Sequence, residues 1–223
     1  SDAVSGITNF TNSLILGHET TGTLDSADGN TAVGYAAMDA ITSGDNNVAV
    51  GYNSLSVLTT GSKNVGVGAH ALAANSTGGN NVAVGYGALN ANSTGQYNTA
   101  VGYYALTTNS TGSQNTAFGQ TALGVNTTAS NNTGIGYNTL ATNSTGTGNT
   151  AGGAFALDAN TTANDNTAFG AYALTANTTA ADNTAVGYNA GAVITTGGLN
   201  CLLGSDSGDN ITTGSQNICI GND

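Results

Sequence analysis

Apolar and polar side chains alternate over a short segment that returns along the whole chain with a fixed period. The copy at residues 115–119 reads Asn-Thr-Ala-Phe-Gly, and its period of two is typical of a short β-strand. A glycine closes this segment at every multiple of seventeen, from Gly17 to Gly221, with no insertion or deletion in thirteen copies. A strict period of this kind predicts a repeat architecture in which each copy forms one coil.

The rest of the coil has the composition of a second short strand and of turns. Ala105 and Leu106 are expected to form that second strand, whereas residues 109–114 are rich in turn-forming residues. Gly, Asn and β-branched residues recur too often for stable helices, and the chain has no proline, which could not donate to a backbone ladder. The sequence therefore predicts an all-β fold, a parallel β-solenoid (β-roll) of thirteen 17-residue coils, as one repeat domain over residues 1–223.

The residue before each coil glycine is the predicted core position. It is large and apolar in every copy except the one with Gly152. Leucines of the second strand, such as Leu106, are expected to pack beside it. The predicted core stack consists of Val33, Val50, Val67, Val84, Val101, Phe118, Ile135, Phe169 and Val186.

The residue in the middle of the strand is small, and it is expected to face away from that core stack. It is Ala or Gly in ten successive coils, from Ala32 to Ala185, and a face of such residues would let another backbone come close. A tight corner that tolerates only small residues is the alternative explanation. With the apolar residues near both ends of the array, this face predicts self-association through Ala83, Ala100, Ala117, Ile15, Leu202, Ile218 and Ile220.

Asparagine recurs at two positions of the coil. The first position precedes the strand, and the second lies in the predicted turn of the seven central coils only. Stacked Asn amides can bond to the copies above and below them, as in other in-register β stacks, so both columns are interpreted as structural. The first column includes Asn81, Asn98, Asn115, Asn132, Asn149 and Asn166, and the second consists of Asn75, Asn92, Asn109, Asn126, Asn143, Asn160 and Asn177.

Charged residues make up only 6% of the chain, and the net charge is −11 with Lys63 as the single cation. This composition argues against nucleic acid, whose phosphates require Lys and Arg, and against an anionic membrane surface. No apolar run approaches the roughly 20 residues of a membrane span, so membrane insertion is not expected. The chain begins without Met and without a signal peptide, and it is expected to be a processed piece of an exported protein.

No set of residues has the pattern of a catalytic, cofactor or metal site. His18 and His70 have no triad or ligand partner in the sequence, and the glycine-rich runs lack the lysine of a phosphate loop. Acidic residues that recur one coil apart in the turns fit solvated carboxylates better than a cation site. Cys201 and Cys219 are eighteen residues apart, which places their side chains on opposite faces of a strand and predicts two separate thiols.

The repeat is similar to repeats of known protein families. Residues 98–103, Asn-Thr-Ala-Val-Gly-Tyr, followed by Ala-Leu at residues 105–106 and Asn-Ser-Thr-Gly at residues 109–112, resemble the repeats of bacterial and phage tail fibre domain proteins. They also resemble the shorter Asn-Ser-Val-Ala-Ile-Gly repeat in the head of trimeric autotransporter adhesins. The resemblance covers nearly the whole chain. It implies a left-handed β-roll that associates as a trimer and is displayed outside the cell or on a virion.

The leading hypothesis is a structural or adhesive module of an extracellular fibre. Such a module would associate with copies of itself as a trimer or end to end, with a cell-surface receptor or glycan as a further candidate partner. A second hypothesis is an ice-binding solenoid, and a third is a soluble sugar-binding module; an enzyme is not expected. The threonine column behind the second hypothesis consists of Thr60, Thr77, Thr94, Thr111, Thr128, Thr145, Thr162, Thr179, Thr196 and Thr213.

Overall fold

The computed structural model describes residues 14–16 and 27–222, and over them the chain forms one sheet of thirteen parallel strands. Each strand has three residues and pairs with its neighbours in chain order at a register of seventeen, so that Thr99 lies opposite Thr116. The prediction of a parallel β-solenoid is confirmed. The strands are β1 (Leu14–Leu16), β2 (Thr31–Val33), β3 (Val48–Val50), β4 (Val65–Val67), β5 (Val82–Val84), β6 (Thr99–Val101), β7 (Thr116–Phe118), β8 (Thr133–Ile135), β9 (Thr150–Gly152), β10 (Thr167–Phe169), β11 (Thr184–Val186), β12 (Cys201–Leu203) and β13 (Ile218–Ile220).

The described residues form no helix, and therefore none that could cross a membrane. Two residues singled out in the sequence, Gly17 and His18, lie outside the described residues. Ile15 lies in β1, paired with Ala32 of β2. The first and last strands thus continue the same parallel register as the central ones.

Each coil contains one strand, so the predicted second strand at Ala105 and Leu106 is wrong. Tyr104 and Leu106 have φ angles of 53° and 52°, in the left-handed region that a strand does not use. Ala105 N–H donates to Gly102 O across a turn, at 3.3 Å. Successive turns still bond to each other, because Leu106 N–H donates to Ala122 O of the next coil at 2.9 Å.

The glycine that ends each strand is required by the backbone. At Gly102 φ is 139°, a conformation that L side chains rarely adopt. A Cβ atom at this position would also lie 2.5 Å from Gly119 O of the next coil. The strict glycine period in the sequence therefore reflects a bend that packs against the same bend one coil further on.

The strand faces the opposite way from the predicted orientation. Ala100 is fully buried, whereas its neighbours Thr99 and Val101 are only partly covered. The outward direction of the larger side chain is clearest at Phe118, which is 56% exposed. The predicted core stack is therefore wrong, since each of its members is exposed or half-buried on the outer face: Val33, Val50, Val67, Val84, Val101, Phe118, Ile135, Phe169 and Val186.

The large core side chains come from the turn instead of the strand. Leu106 and its counterpart Leu123 are fully buried, and these leucines reach the inner side of the strand. A Cβ atom added at Gly134, an inner strand position, would lie 3.4 Å from Leu123 Cγ. Because such a leucine fills the narrow interior in eight successive coils, from Leu55 to Leu174, only Ala or Gly fits opposite it on most strands.

This packing also corrects the predicted self-association surface. The strand alanines cannot contact another chain, because they have no exposed surface. Leu202 occupies the same inner position in β12 and is buried as well, whereas Ile218 and Ile220 of β13 are 75% and 74% exposed. The prediction is therefore wrong for Ala83, Ala100, Ala117 and Leu202.

The asparagine before each of the strands β2–β12 is buried and bonded along the solenoid axis. Asn98 donates from its backbone N–H and its Nδ2 to Asn81 Oδ1, at 2.9 and 3.2 Å. The same Nδ2 donates to Gly112 O at 2.9 Å. The structural role is confirmed for the predicted column, whose members are all fully buried: Asn81, Asn98, Asn115, Asn132, Asn149 and Asn166.

The second asparagine column stabilises the turn that follows it through side-chain hydrogen bonds. Asn109 Nδ2 donates to Asn92 Oδ1 and to Gly112 O, both at 2.9 Å, so that Gly112 O accepts from both asparagine columns. The column ends where the next coil has the buried Ile194 in place of Asn. There Asn177 Oδ1 is left without a hydrogen-bond partner among the described residues.

The reversed strand gives a test of the inner face. Ala100→Leu should lower the unfolding free energy by about 1–3 kcal/mol, because extra methylenes overpack a filled interior. Val101→Leu changes an outward residue and should stay within about 0.5 kcal/mol of wild type. Denaturant unfolding followed by circular dichroism measures both. A larger loss for Val101→Leu than for Ala100→Leu would contradict the orientation described here.

The first asparagine column gives a pH-dependent test. In Asn115→Asp a carboxylate oxygen would replace the Nδ2 that donates to Asn98 Oδ1 and Ala129 O. An unsatisfied buried group costs about 1–3 kcal/mol, and more when charged. The buried carboxyl should have a raised pKa in the folded state. The loss of unfolding free energy relative to wild type therefore reaches its maximum above that pKa. The charge-dependent part of this loss disappears below the unfolded-state value of about 3.9, where the group is neutral in both states.

The matched control for this variant is Gln114→Glu, which adds the same charge to the exposed neighbouring residue. Its unfolding free energy should follow that of wild type at every pH, because an exposed carboxylate stays solvated. Equal pH profiles for Asn115→Asp and Gln114→Glu would show that the amide column does not carry stability.

Candidate functional site

Histidine and cysteine side chains do not gather into a chemical site in the described part of the chain. No three His, Cys, Asp or Glu side chains there are placed to hold a metal ion. His70 packs edge to face between Tyr52 and Tyr86, with ring centroids 5.2 and 5.7 Å away. Cys201 is exposed and Cys219 is partly buried, both as free thiols, as the sequence predicts. The features that can recognise a partner are therefore surfaces.

The outer side of the sheet is an uncharged surface, which we call the strand face. It consists of the first and third residues of strands β2–β13, and none of these is Asp, Glu, Lys or Arg. The first residue is Thr in seven of the twelve strands, with Val, Cys or Ile in the others. The third residue is apolar, and its exposed fraction is 37% at Val50, 56% at Phe118 and 74% at Ile220. The strand face therefore has two rows side by side. The first residues of the strands form a row that is mostly threonine, and the third residues form a row that we call the apolar column.

The apolar column continues across its one glycine. A Cβ atom added at Gly152 would lie 2.7 Å from Phe169 Cδ1 and 2.8 Å from its Cε1. The Phe169 ring therefore covers the position that has no side chain of its own. The single Phe169 ring thus covers the outer surface of two neighbouring coils, and the apolar column has no gap at Gly152.

Aromatic rings extend this surface around the bend, at the first and second residues after the coil glycines. Tyr35 stacks on Tyr52 with ring centroids 5.7 Å apart and planes 11° from parallel. Since the two rings are stacked, each covers one face of the other. A hydrogen bond with Tyr86 raises the pKa of Tyr104 above its ordinary value, so this tyrosine is neutral at physiological pH. We call this surface the aromatic corner; it consists of Tyr35, Tyr52, His70, Tyr86, Tyr103, Tyr104, Tyr137, Phe155, Tyr172 and Tyr188.

The threonine column predicted from the sequence lies exposed on the turns. Every member from Thr60 to Thr213 is exposed, and none of their hydroxyls bonds within the described structure. The residue before each of them behaves differently: Ser110 Oγ, for example, donates to Thr127 O of the next coil at 3.0 Å. In each Ser-Thr or Thr-Thr pair from residues 59–60 to residues 195–196, the first hydroxyl thus holds neighbouring coils together, and the second is free for an outside partner.

Carboxylates lie on turns, away from the strand face. Asp45 Oδ1 accepts the backbone N–H of Asp28 at 2.9 Å, and Asp158 Oδ1 accepts the Thr175 hydroxyl at 2.6 Å. These contacts are hydrogen bonds between neighbouring coils. In the described part of the chain, the carboxylates therefore lie beside the recognition surfaces and not on them.

Comparison with protein-family models, with curated proteins and with solved structures finds no match to this chain. The surfaces are therefore interpreted from their own geometry. Sequence reasoning found the threonine column but missed the strand face, because it placed the large strand residues inside. It also missed the aromatic corner, although the recurrence of tyrosine directly after the coil glycine was a usable signal.

Proposed function

We propose that this chain is a structural repeat module of an extracellular fibre, in which copies associate through the strand face. The observation that carries the proposal is the apolar column, which is exposed or half-buried from Val33 to Ile220 and continues into the aromatic corner. Contiguous exposed apolar surface on this scale marks an interaction site in soluble proteins. A flat face repeated along a rigid solenoid favours another rigid, repeated surface as its partner, and a second copy of this chain is such a surface.

The size of the surface supports a second copy as the partner. At a strand spacing of about 4.8 Å, strands β2–β13 make a face about 53 Å long, and with the aromatic corner it is roughly 15 Å wide. This corresponds to on the order of 800 Å² per chain. Stable protein interfaces bury about 800 Å² on each partner. One copy therefore offers enough area for a stable contact.

The distribution of charge supports the same partner. The chain has a net charge of −11, which would oppose association if the carboxylates faced each other. They lie on the turns instead, and the strand face has no charged residue. Two copies can therefore meet face to face without bringing carboxylates into opposition or burying an unpaired charge.

The trimer and the location outside the cell or on a virion follow from the resemblance of the repeat and are part of the proposal. Adhesion to a receptor or glycan also belongs to it. End-to-end association through Ile15, Ile218 and Ile220 stays a prediction, and Ile220→Lys should shorten any fibres seen by electron microscopy.

The test of the strand face is a solution mass. Wild type should be a trimer by size-exclusion chromatography with light scattering. Phe118→Lys/Ile135→Lys places two cations on the face, and burying them in the interface is costly. This double variant should therefore be a monomer with the circular dichroism spectrum of the wild type.

The matched control is Thr111→Lys/Thr128→Lys, which adds the same charge to the exposed threonines of the same two coils. This variant should keep the mass of the wild type. A wild type that is monomeric at high concentration would refute the proposal. An equal fall in the molecular mass of the assembly in both variants would show that charge alone disrupts it. A dimeric wild type would contradict the trimer.

A further inference from the structure

The threonine column is more uniform than the fold requires. It has Thr in ten successive coils, and each side chain is exposed with a hydroxyl that does not bond within the described structure. Exposed positions just after it vary freely: three residues beyond Thr94, Thr111 and Thr128 stand Tyr97, Gln114 and Asn131. Simple copying of one coil would have kept these residues alike as well. The uniform threonines therefore indicate a role for the surface that they form.

The column is held rigidly by the groups beneath it. In the coil of Thr111, the preceding Ser110 donates its N–H to Thr127 O at 2.7 Å and its hydroxyl to the same oxygen at 3.0 Å. The following Gly112 accepts two asparagine amides, at 2.9 Å each. The threonine side chain is itself stiff, because it branches at Cβ. Binding through this column would therefore lose little conformational entropy.

The column is also regular and nearly free of charge. Ten threonines at a coil rise of about 4.8 Å span roughly 43 Å. Between Asp45 and Asp158 the sequence contains no acidic residue, and Lys63 is its only cation. Each coil presents one methyl group and one free hydroxyl at a repeat comparable to the spacing of water molecules along a row of the ice lattice. A partner made of identical, uncharged, hydrogen-bonding units in a fixed row fits this surface.

We propose that the threonine column binds ice. The hydroxyls take positions in the first layer of lattice water, and the methyl groups lie between them. A soluble glycan fits less well, because sugar sites are concave with a few convergent polar groups, whereas the column runs over exposed turns. Stacked rings of the aromatic corner, such as Tyr35 and Tyr52, also cover one face of each other and so leave less ring face for a sugar. The proposal does not depend on the fibre function, since the column and the strand face share no residue.

The experiment measures partition into a growing ice hemisphere and thermal hysteresis with two variants. Wild type should enter the ice. Thr111→Lys/Thr128→Lys interrupts the column with two long, hydrated side chains, so its partition should fall to that of a protein that ice excludes. Phe118→Lys/Ile135→Lys adds the same charge to the strand face of the same coils and should partition as the wild type does. Circular dichroism establishes that both variants are folded.

Exclusion of the wild type from ice, with no thermal hysteresis, would overturn the proposal. Loss of partition in the strand-face variant alone, or equally in both variants, would overturn it as well, because contact would not be confined to the threonine column. If the wild type bound to a glycan array but did not enter ice, the ligand of the threonine column would be a carbohydrate and the ice proposal would be overturned. Masses measured on the same samples test the fibre proposal separately, so either proposal can fail without the other.

Discussion

The buried asparagine amides constrain this structure more than any other interaction. Each amide before a strand takes its position from the coil before it, since Asn98 donates twice to Asn81 Oδ1 and once to Gly112 O. An amide shifted by one residue would leave buried donors without acceptors, at about 1–3 kcal/mol for each group. An insertion in any coil would break the register with both neighbours. The invariant length of seventeen residues follows from this requirement.

The narrow interior that results decides which side chains the protein exposes. In the eight coils from Leu55 to Leu174, one leucine such as Leu106 enters from a turn in the left-handed conformation and fills the space opposite the strand. The inner side of most strands can then hold only Ala or Gly, and the large apolar residues of the strand face solvent. An exposed apolar face is thus a direct consequence of a filled core. A monomer would keep that face in water at a cost of about 25 cal/mol per Å² of apolar area, which favours association with another copy.

The period, the parallel sheet and both asparagine columns could be predicted from the sequence, because each depends only on which residues recur at seventeen. The direction of the strand could not. Alternation separates Ala100 from Val101 but does not say which of them is inside, and the usual preference for large residues in the core selects Val101. The deciding fact is the left-handed backbone at Leu106, which is uncommon for a residue with a large side chain. The same error hid the strand face and made the alanines resemble a contact surface.

Within each coil, some residues hold neighbouring coils together and others are exposed to partners. This separation explains how the strand face and the threonine column can exist on the same solenoid. Hydroxyls before the threonine column, such as that of Ser110, are used by backbone carbonyls of the next coil, whereas the hydroxyl of Thr111 is not used. The inner strand residue is likewise committed to the core, whereas its neighbours on both sides are free. Because no residue serves both tasks, a change at Phe118 or Thr111 alters what the solenoid contacts without removing a bond that builds it. Assembly through the strand face would also leave the threonine residues themselves unburied, because the column and the strand face share no residue.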